Sequence, residues 1–284
     1  MEDKTMVVTG GTGGLGFHTA KGLAELGATV VVTGRNQSRG EEAVAKLRSA
    51  AGHERVHLIV GDLARRSGIE DVAEQLRKDH PRLDVLINNA GSLATKREKT
   101  EDGLERDLAV NVAAPVLLSR ALAPALAAAA PSRVLNVTGG APFGSLDIAG
   151  LEAERGEAGL AWYTQTKRAM EAASLALAEE LAPQGIHVNV VYPGAASTGM
   201  TQAMQPGMLP WYMRAFWPLF RSMMKPDEGR GAEKAARSSI WGATTDELTD
   251  VHGRYYDTKC RPTKFHASVH DPENQKRVLA LAQL

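Results

Sequence analysis

The sequence has one cysteine, few aromatic residues, no excess of charge and no long hydrophobic run. Cys260 alone excludes an intrachain disulfide and favours a reducing, cytoplasmic location. Basic and acidic residues number 33 each, so net charge gives no reason to expect nucleic acid or an anionic membrane as a partner. No apolar run reaches the roughly 18 residues that span a bilayer. The opening MEDKT leaves no room for a signal peptide or anchor before the first predicted strand.

Short β-branched runs alternate with longer segments of helical period along the chain. The predicted strands are 5–10, 28–34, 56–60, 83–88, 133–137, 186–191 and 253–257. The predicted helices are 14–26, 38–51, 67–79, 101–130 (broken near Pro115 and Pro124), 161–183 and 272–284. Near-continuous apolar strands that alternate with helices indicate a parallel sheet covered on both faces. The pattern predicts a single α/β domain over 1–284, with a doubly wound, mainly parallel, seven-stranded sheet.

A glycine-rich stretch, TGGTGGLG at 9–16, joins the first predicted strand to the first helix. Glycines let the backbone turn tightly there, and the helix N-terminus offers unpaired N–H groups and partial positive charge to a pyrophosphate. Its position at the start of the alternating units predicts a Rossmann-type dinucleotide site. The candidate phosphate-binding residues are Gly10, Thr12, Gly13, Gly14, Leu15 and Gly16.

The end of the second predicted strand bears on the choice of cofactor. A carboxylate at this position would bind the ribose hydroxyls of NAD. The sequence has Arg35 and Asn36 instead, and a guanidinium can form two hydrogen bonds with a 2′-phosphate. We therefore expect NADP(H), with a solvated surface arginine as the alternative interpretation.

An ordered set of motifs resembles the short-chain dehydrogenase/reductase family over nearly the whole chain. These are Thr9, Gly10, Gly14 and Gly16 for TGxxxGxG, Asp62-Leu63, Asn88-Asn89-Ala90-Gly91, Asn111, Tyr163 and Lys167 for YxxxK, and Pro193-Gly194 with Thr198 for PGxxxT. The resemblance implies that Asp62, Leu63, Asn89, Ala90, Gly91, Pro193, Gly194 and Thr198 contact the cofactor.

Residues 226–260 look like the tail of the retinol-dehydrogenase and protochlorophyllide-reductase-like branch of that family. The insert before Tyr163 is also long, as in that branch. We expect no N-terminal anchor like that of the membrane-bound retinol enzymes, so the resemblance carries over the architecture but not retinol as substrate.

Tyr163 and Lys167 are four residues apart on a predicted helix and so share one face. The resemblance implies that Tyr163 exchanges a proton with a carbonyl or alcohol oxygen and that Lys167 holds the nicotinamide ribose. It also implies that Asn111 holds a water linked to Lys167 and that Thr198 bonds the carboxamide. A lysine ammonium and an oxidised nicotinamide should lower the tyrosine pKa by about three, or roughly 4 kcal/mol. A solvated Tyr/Lys pair and a core asparagine are the alternatives.

The stretch VLNVTGGAPFG at 134–144 lacks the serine that the resemblance leads us to expect. The serine position falls at Gly139, next to Thr138, and Ser145 is the other nearby hydroxyl. Losing one such hydrogen-bond donor typically lowers the rate by about 10²–10³. Three explanations stay open: Thr138 acts as the catalytic donor, Gly139 and Gly140 widen the pocket for a bulky ring, or the chemistry is altered or lost.

Residues 198–230 have the composition of a substrate lid. Six of the nine methionines lie here, with Trp211, Tyr212, Phe216, Trp217 and Phe220. Methionine is flexible and fills irregular apolar shapes, so this segment predicts a lipophilic substrate. Packing as ordinary core, a subunit interface, and contact of 208–224 with a membrane surface are the alternatives.

The motifs together predict an NADPH-dependent oxidoreductase that acts on a ketone, aldehyde or alcohol of a lipophilic small molecule. A non-redox enzyme that retains NADP(H), a silent NADP(H)-binding protein and an oligomerising scaffold remain open. We expect no metal in the site and no nucleic-acid partner, and the sequence leaves homo-oligomerisation open.

Overall fold

The computed structural model describes residues 1–139, 144–153, 156, 158–194, 198–209, 211–223 and 229–283. One sheet has the strand order β3-β2-β1-β4-β5-β6-β7-β8. Its strands are β1 (Thr5–Val8), β2 (Thr29–Gly34), β3 (Val56–Val60), β4 (Val85–Asn88), β5 (Ser132–Val137), β6 (Ile186–Val191), β7 (Tyr255–Tyr256) and β8 (Pro262–Thr263). All neighbouring pairs are parallel except β7 and β8. The predicted doubly wound, mainly parallel sheet is confirmed.

The helices lie between successive strands, apart from α12, which follows β8. They are α1 (Gly14–Glu25), α2 (Gln37–Ala51), α3 (Arg66–Asp79), α4 (Arg106–Leu108), α5 (Ala114–Ala121), α6 (Ala123–Ala127), α7 (Ile148–Glu152), α8 (Gly159–Leu181), α9 (Gly199–Gln202), α10 (Trp217–Met223), α11 (Arg230–Thr244) and α12 (Pro272–Leu281). No helix in the described part of the chain has the length and apolar character needed to cross a bilayer.

The hydrophobic core lies on both faces of the sheet because strand residues alternate between them. Val7 and Val31 pack into a cluster with α3, α5, α8 and α12. Val8 and Val32, one position further along, pack into a second cluster with α1 and α2. The prediction that helices cover both faces is therefore confirmed.

The predicted strand count of seven is wrong by one, because the chain folds back after β7. The Oδ1 atom of Asp257 organises this turn by accepting hydrogen bonds from the backbone N–H groups of Lys259 and Arg261. Cys260 adopts a left-handed conformation with φ of 60° between them. The returning strand β8 is only two residues long and antiparallel, too short to produce a periodic sequence signal.

The predicted helix over 101–130 is confirmed only in pieces. Pro115 and Pro124 lie in the first turns of α5 and α6, where the missing proline N–H has no intrahelical partner to lose. A π-helical turn at Ala109–Ala113 precedes α5. Helix α11 was not among the predicted elements.

Candidate active site

The glycine-rich loop after β1 adopts a conformation that requires its glycines. Gly10 and Gly14 have φ of 64° and 53°, in the left-handed region. A Cβ built on Gly16 would lie 2.4 Å from the carbonyl oxygen of Gly10 and 2.4 Å from Asn89 Nδ2, so a side chain would not fit there. Gly13 is exposed, and no atom of the described residues lies within 4 Å of a Cβ built on it. The loop is thus tightly packed at Gly16, against Asn89, and open at Gly13, where the first N–H groups of α1 are directed.

The loop after β4 holds this turn in place. Asn89 Nδ2 donates to the carbonyl oxygen of Thr9 at 2.8 Å. The backbone N–H groups of Asn89 and Ala90 both donate to Thr9 Oγ1 at 3.0 Å. Asn89 and Ala90 therefore shape the candidate cofactor site by fixing its loop.

The end of β2 lies beside the phosphate loop, since a Cβ built on Gly34 would be 2.6 Å from Thr12 Cγ2. Arg35 is exposed just beyond this contact. No acidic residue occupies the first turn of α2, all of which the structure describes. The Asn36 side chain accepts from Arg39 N at 2.9 Å and caps α2, a role that sequence reasoning did not assign.

Asp62 and Leu63 follow β3 at the same edge of the sheet. Asp62 Oδ1 accepts from Ala64 N at 3.1 Å, which orders the turn into α3. Leu63 is buried. Both residues therefore lie at the carboxyl edge of the parallel strands, where dinucleotides bind in doubly wound folds.

Tyr163 and Lys167 lie on one face of α8, as predicted from their spacing. Lys167 Nζ is 5.8 Å from the centre of the Tyr163 ring. It donates to the carbonyl oxygen of Val137 at 3.0 Å and so attaches α8 to the end of β5. A Cβ built on Gly91 would lie 3.7 Å from Lys167 Nζ and 3.5 Å from Asn111 Oδ1. Gly91 therefore lies beside both the lysine and the asparagine.

The charges around this pair differ from the sequence-based expectation. Burial raises the pKa of Tyr163, and the neighbouring Asp107 and Tyr192 raise it further. The expected lowering by Lys167 is thus not found in the protein alone. Burial lowers the pKa of Lys167 from 10.5 to about 8, against the opposing influence of Glu171 and Asp107. Near pH 7, Tyr163 is therefore neutral and Lys167 is mostly a cation.

Asn111 lies in the π-helical turn, a deformation that often occurs at functional sites. Its Oδ1 accepts from Ser92 N, and its Nδ2 donates to the Ser92 carbonyl oxygen and to Thr166 Oγ1, each at 2.9 Å. Asn111 thus joins the loop after β4 to α8, beside Lys167.

The space beside Gly139 is taken by Tyr163. A Cβ built on Gly139 would lie 2.5 Å from Tyr163 Oη and 2.7 Å from its Cε1. The phenol therefore occupies the position from which a serine side chain would project. Gly139 is required for this placement of the tyrosine. Gly140, the other residue of the widened-pocket prediction, lies outside the described residues.

Thr138 is buried, and its hydroxyl donates to Glu171 Oε1 at 2.8 Å. A hydroxyl has one proton, so this bond leaves none for a substrate oxygen. Glu171 also accepts from Arg168 Nη1 at 3.2 Å. In this arrangement a buried carboxylate takes the Thr138 hydroxyl proton, so the role of Thr138 as the replacement donor stays a prediction.

Three polar residues at this site were missed by sequence reasoning. Glu171 lies one turn beyond Lys167, and the i, i+4 spacing was the signal that could have revealed it. Asp107 is fully buried and accepts from Ala94 N at 2.9 Å. Tyr192 directly precedes the Pro193-Gly194 motif, but its relation to Tyr163 depends on strand register.

The beginning of the lid lies over the phosphate loop. Gly194 has φ of 86°, and Thr198 Cβ lies 3.4 Å from a Cβ built on Gly14. Thr198 N donates to Thr201 Oγ1 at 2.8 Å, at the start of α9. Pro193, Gly194 and Thr198 thus lead from β6 to the candidate cofactor site.

The described part of the lid has its own apolar cluster. Met204, Met208 and Leu209 are buried against Leu93 and Leu160. Phe216 is 63% exposed, and Trp217 is half-buried. Gly140 and the side chains of Trp211, Tyr212 and Phe220 lie outside the described residues. Ser145, the other hydroxyl near Gly139 in sequence, is exposed.

The residues present fit a nicotinamide dinucleotide. The glycine cradle accepts a pyrophosphate, and the Tyr163–Lys167 pair lies at the same sheet edge. This combination defines the class of doubly wound α/β proteins that bind a dinucleotide beside a tyrosine–lysine pair. The short chain dehydrogenase family model matches residues 4–208, and the chain belongs to that family.

Two curated relatives are similar over most of their length. Polyprenol dehydrogenase of Homo sapiens is 33% identical over 287 residues, which cover 96% of this chain and 81% of the relative. Retinol dehydrogenase 13 of Mus musculus is 32% identical over 260 residues, covering 89% and 75%. Both support the branch that the motifs and tail indicated.

Among solved structures, the active-site complex of Pseudomonas aeruginosa RhlG with NADP has a TM-score of 0.68 and 28% identity, covering 90% of this chain and 95% of that one. The Gluconobacter frateurii L-sorbose reductase complex with NADPH and L-sorbose has a TM-score of 0.69 and 24% identity, covering 90% and 95%. The second likeness bears on the fold alone.

Proposed function

We propose that this chain is an NADP(H)-dependent oxidoreductase that reduces a ketone or aldehyde of a lipophilic small molecule, or oxidises the corresponding alcohol. We further propose that 1–284 forms one domain, with 198–230 as its substrate lid. The observation that carries the proposal is that Tyr163, Lys167 and Asn111 lie close together, at the same edge of the sheet as the phosphate loop.

Tyr163 is the proton donor in the reducing direction. Reduced nicotinamide, when bound, supplies the hydride. The carbonyl oxygen gains negative charge as the reaction proceeds, and a neutral phenol within hydrogen-bond distance can transfer its proton to that oxygen. Burial raises the pKa of Tyr163, which keeps the proton on the phenol until the oxygen becomes basic.

Lys167 acts as a cation beside this phenol. Burial lowers its pKa to about 8, so Lys167 is mostly protonated at pH 7. Its charge lies 5.8 Å from the centre of the phenol ring, although burial determines the pKa of Tyr163 in the protein alone. Lys167 would also hold the nicotinamide ribose, and Asn111 would hold a water that returns protons to the lysine.

Several features support NADP(H) over NAD(H). The first turn of α2 has no acidic residue, and Arg35 is exposed at the end of β2. A guanidinium there can pair with a 2′-phosphate, while the N–H groups of Thr12 to Gly16 would hold the pyrophosphate. Asp62 and Leu63 would flank the adenine.

The lid supports a lipophilic substrate. Met204, Met208 and Leu209 form an apolar cluster against α8 and the loop after β4. The relatives are named for polyprenol and retinol, which are apolar alcohols. We therefore propose an extended apolar aldehyde or alcohol as the substrate class.

The test follows NADPH absorbance with retinaldehyde, farnesal and the short control acetaldehyde. We expect turnover of the long aldehydes, little with acetaldehyde, and loss of turnover in Tyr163→Phe with NADPH binding intact. Product without net NADPH change would indicate a non-redox enzyme. A Tyr163→Phe variant with unchanged activity would reject the mechanism.

We also propose a cytoplasmic location, and contact of the lid with a membrane is a separate question for experiment. Phe216 and Leu219 in the 208–224 segment are each 63% exposed. Sedimentation with neutral and anionic vesicles, compared with Phe216→Glu, measures whether this segment binds a lipid surface.

A further inference from the structure

The substrate oxygen needs a second hydrogen-bond donor beside Tyr163 if this site is to match the usual arrangement of such enzymes. Gly139 has no side chain, and the Thr138 proton goes to Glu171. A donor from another element of the fold must therefore be sought at the ends of the neighbouring strands.

Tyr192 follows β6 directly and lies beside Thr138. Val137 pairs with Val191 in the parallel ladder, and Thr138 N donates to the Val191 carbonyl oxygen at 3.0 Å. Tyr192 N still donates to Tyr256 O at 2.9 Å, so its backbone remains in register with the sheet.

Register also determines which face of the sheet Tyr192 shares. Paired residues in neighbouring parallel strands direct their side chains to the same face. Thr138 reaches Glu171 on α8, so this is the face that carries α8. The Tyr192 side chain therefore extends toward the helix that holds Tyr163.

The Tyr192 phenol has the properties of an available donor. The residue is half-buried at the sheet edge, where the candidate cofactor site lies. Within the described ranges, no residue forms a hydrogen bond with its hydroxyl. Its presence raises the pKa of Tyr163, after burial and Asp107, so the two phenols are within electrostatic range.

We propose that Tyr192 donates the second hydrogen bond to the substrate oxygen, in place of the hydroxyl that Gly139 lacks. This role rests on the oxidoreductase function proposed above. The contact forms no covalent bond and transfers no proton: Tyr163 gives up its proton, and Tyr192 keeps its own. The bond strengthens as negative charge develops on the oxygen.

The experiment compares Tyr192→Phe with the unmodified protein, using NADPH and the same long aldehydes. The ring is kept, so folding and NADPH affinity should not change. We expect kcat/KM to fall by about 10²–10³, mainly through kcat, because the lost bond is strongest in the transition state.

Tyr255→Phe is the matched control. Tyr255 is a phenol on the next strand, shares the face of Tyr192 by register, and packs on Phe265 with ring centres 5.3 Å apart. Its loss should leave kcat within about twofold if its hydroxyl takes no part in the reaction. If kcat falls equally in Tyr192→Phe and Tyr255→Phe, the loss is a general effect of removing a phenol from this face, and the proposal is overturned.

The outcomes separate this proposal from the proposed function. Turnover in the unmodified protein with equal turnover in Tyr192→Phe rejects the Tyr192 contact and leaves the function intact. Absence of aldehyde reduction and alcohol oxidation in the unmodified protein, with NADPH still bound, rejects both. A loss in Tyr192→Phe with an unchanged melting temperature and NADPH affinity, and with Tyr255→Phe active, supports the contact.

Discussion

Replacing Gly139 with alanine tests whether the position of Tyr163 depends on a missing side chain. Gly139 is not among the glycines with positive φ, so alanine introduces no backbone strain and the effect isolates one contact. The new Cβ would lie 2.5 Å from Tyr163 Oη, whereas ordinary contacts begin at 3.4 Å. The phenol must therefore retreat by about 0.9 Å, and a misplacement of this size costs about 10²-fold in rate.

This factor corresponds to about 2.7 kcal/mol in the activation free energy. The assay measures kcat and KM with NADPH and a long aldehyde, together with NADPH affinity and melting temperature. We expect kcat to fall by about 10² while NADPH affinity is retained, because the three atoms nearest to the new Cβ all belong to Tyr163.

Gly207→Ala is the control, since no atom of the described residues lies within 4 Å of a Cβ built there. A Gly139→Ala variant with at least half the original kcat would refute the reasoning, because Tyr163 would then not need this space. A Gly139→Ser variant that gains activity on simple ketones would indicate that the natural protein has moved away from reductase chemistry.

Three further predictions concern the cofactor, the pH profile and stability. Arg35→Asp should reverse the preference for NADPH over NADH by more than about tenfold, measured by nucleotide titration, and equal affinities in the unmodified protein would contradict the assignment. Because Lys167 has a pKa of about 8, its cation is present below that pH, so kcat/KM should fall above about pH 8. Glu171→Gln should move this fall in kcat/KM to lower pH, whereas Glu180→Gln at the exposed end of the same helix should not. Identical pH profiles for the two variants would reject the role of Glu171. Thr138→Val should lower the free energy of unfolding, measured in denaturant, by about 1–3 kcal/mol, because the buried Glu171 carboxylate loses one hydrogen bond. A 10²-fold loss of kcat in this variant would instead indicate that Thr138 is a catalytic donor.

The sequence predicted the sheet because its signals are local. The strand over 186–191 has the predicted bounds, since a buried parallel strand is a continuous apolar run between turn residues. The phosphate loop was equally readable, because its glycines serve one short turn. Strand β8 was missed, since two residues produce no period.

The contacts that decide the roles of hydroxyl groups were not readable in this way. Thr138 and Glu171 are 33 residues apart, and their bond exists only because α8 packs beneath the end of β5. Tyr192 lies beside Thr138 because strands β5 and β6 pair in a particular register, although a long insert and a helix separate these strands in the sequence. A motif alignment assigns a role to each position in turn and therefore cannot indicate which neighbour takes a proton.

Gly139, Thr138 and Glu171 form one interdependent arrangement around Tyr163. A serine at 139 and the phenol in its present place would compete for the same volume, because the built Cβ already overlaps the ring. A serine introduced at 139 would therefore displace the Tyr163 phenol from its present position. The bond from Thr138 to Glu171 fixes the strand end next to this glycine, and Glu171 in turn raises the pKa of Lys167. The absence of a side chain at 139 is thus linked to the position of Tyr163 and, through Glu171, to the charge of Lys167. Tyr192, which we propose as the second donor, lies on the neighbouring strand end that is hydrogen-bonded to Thr138.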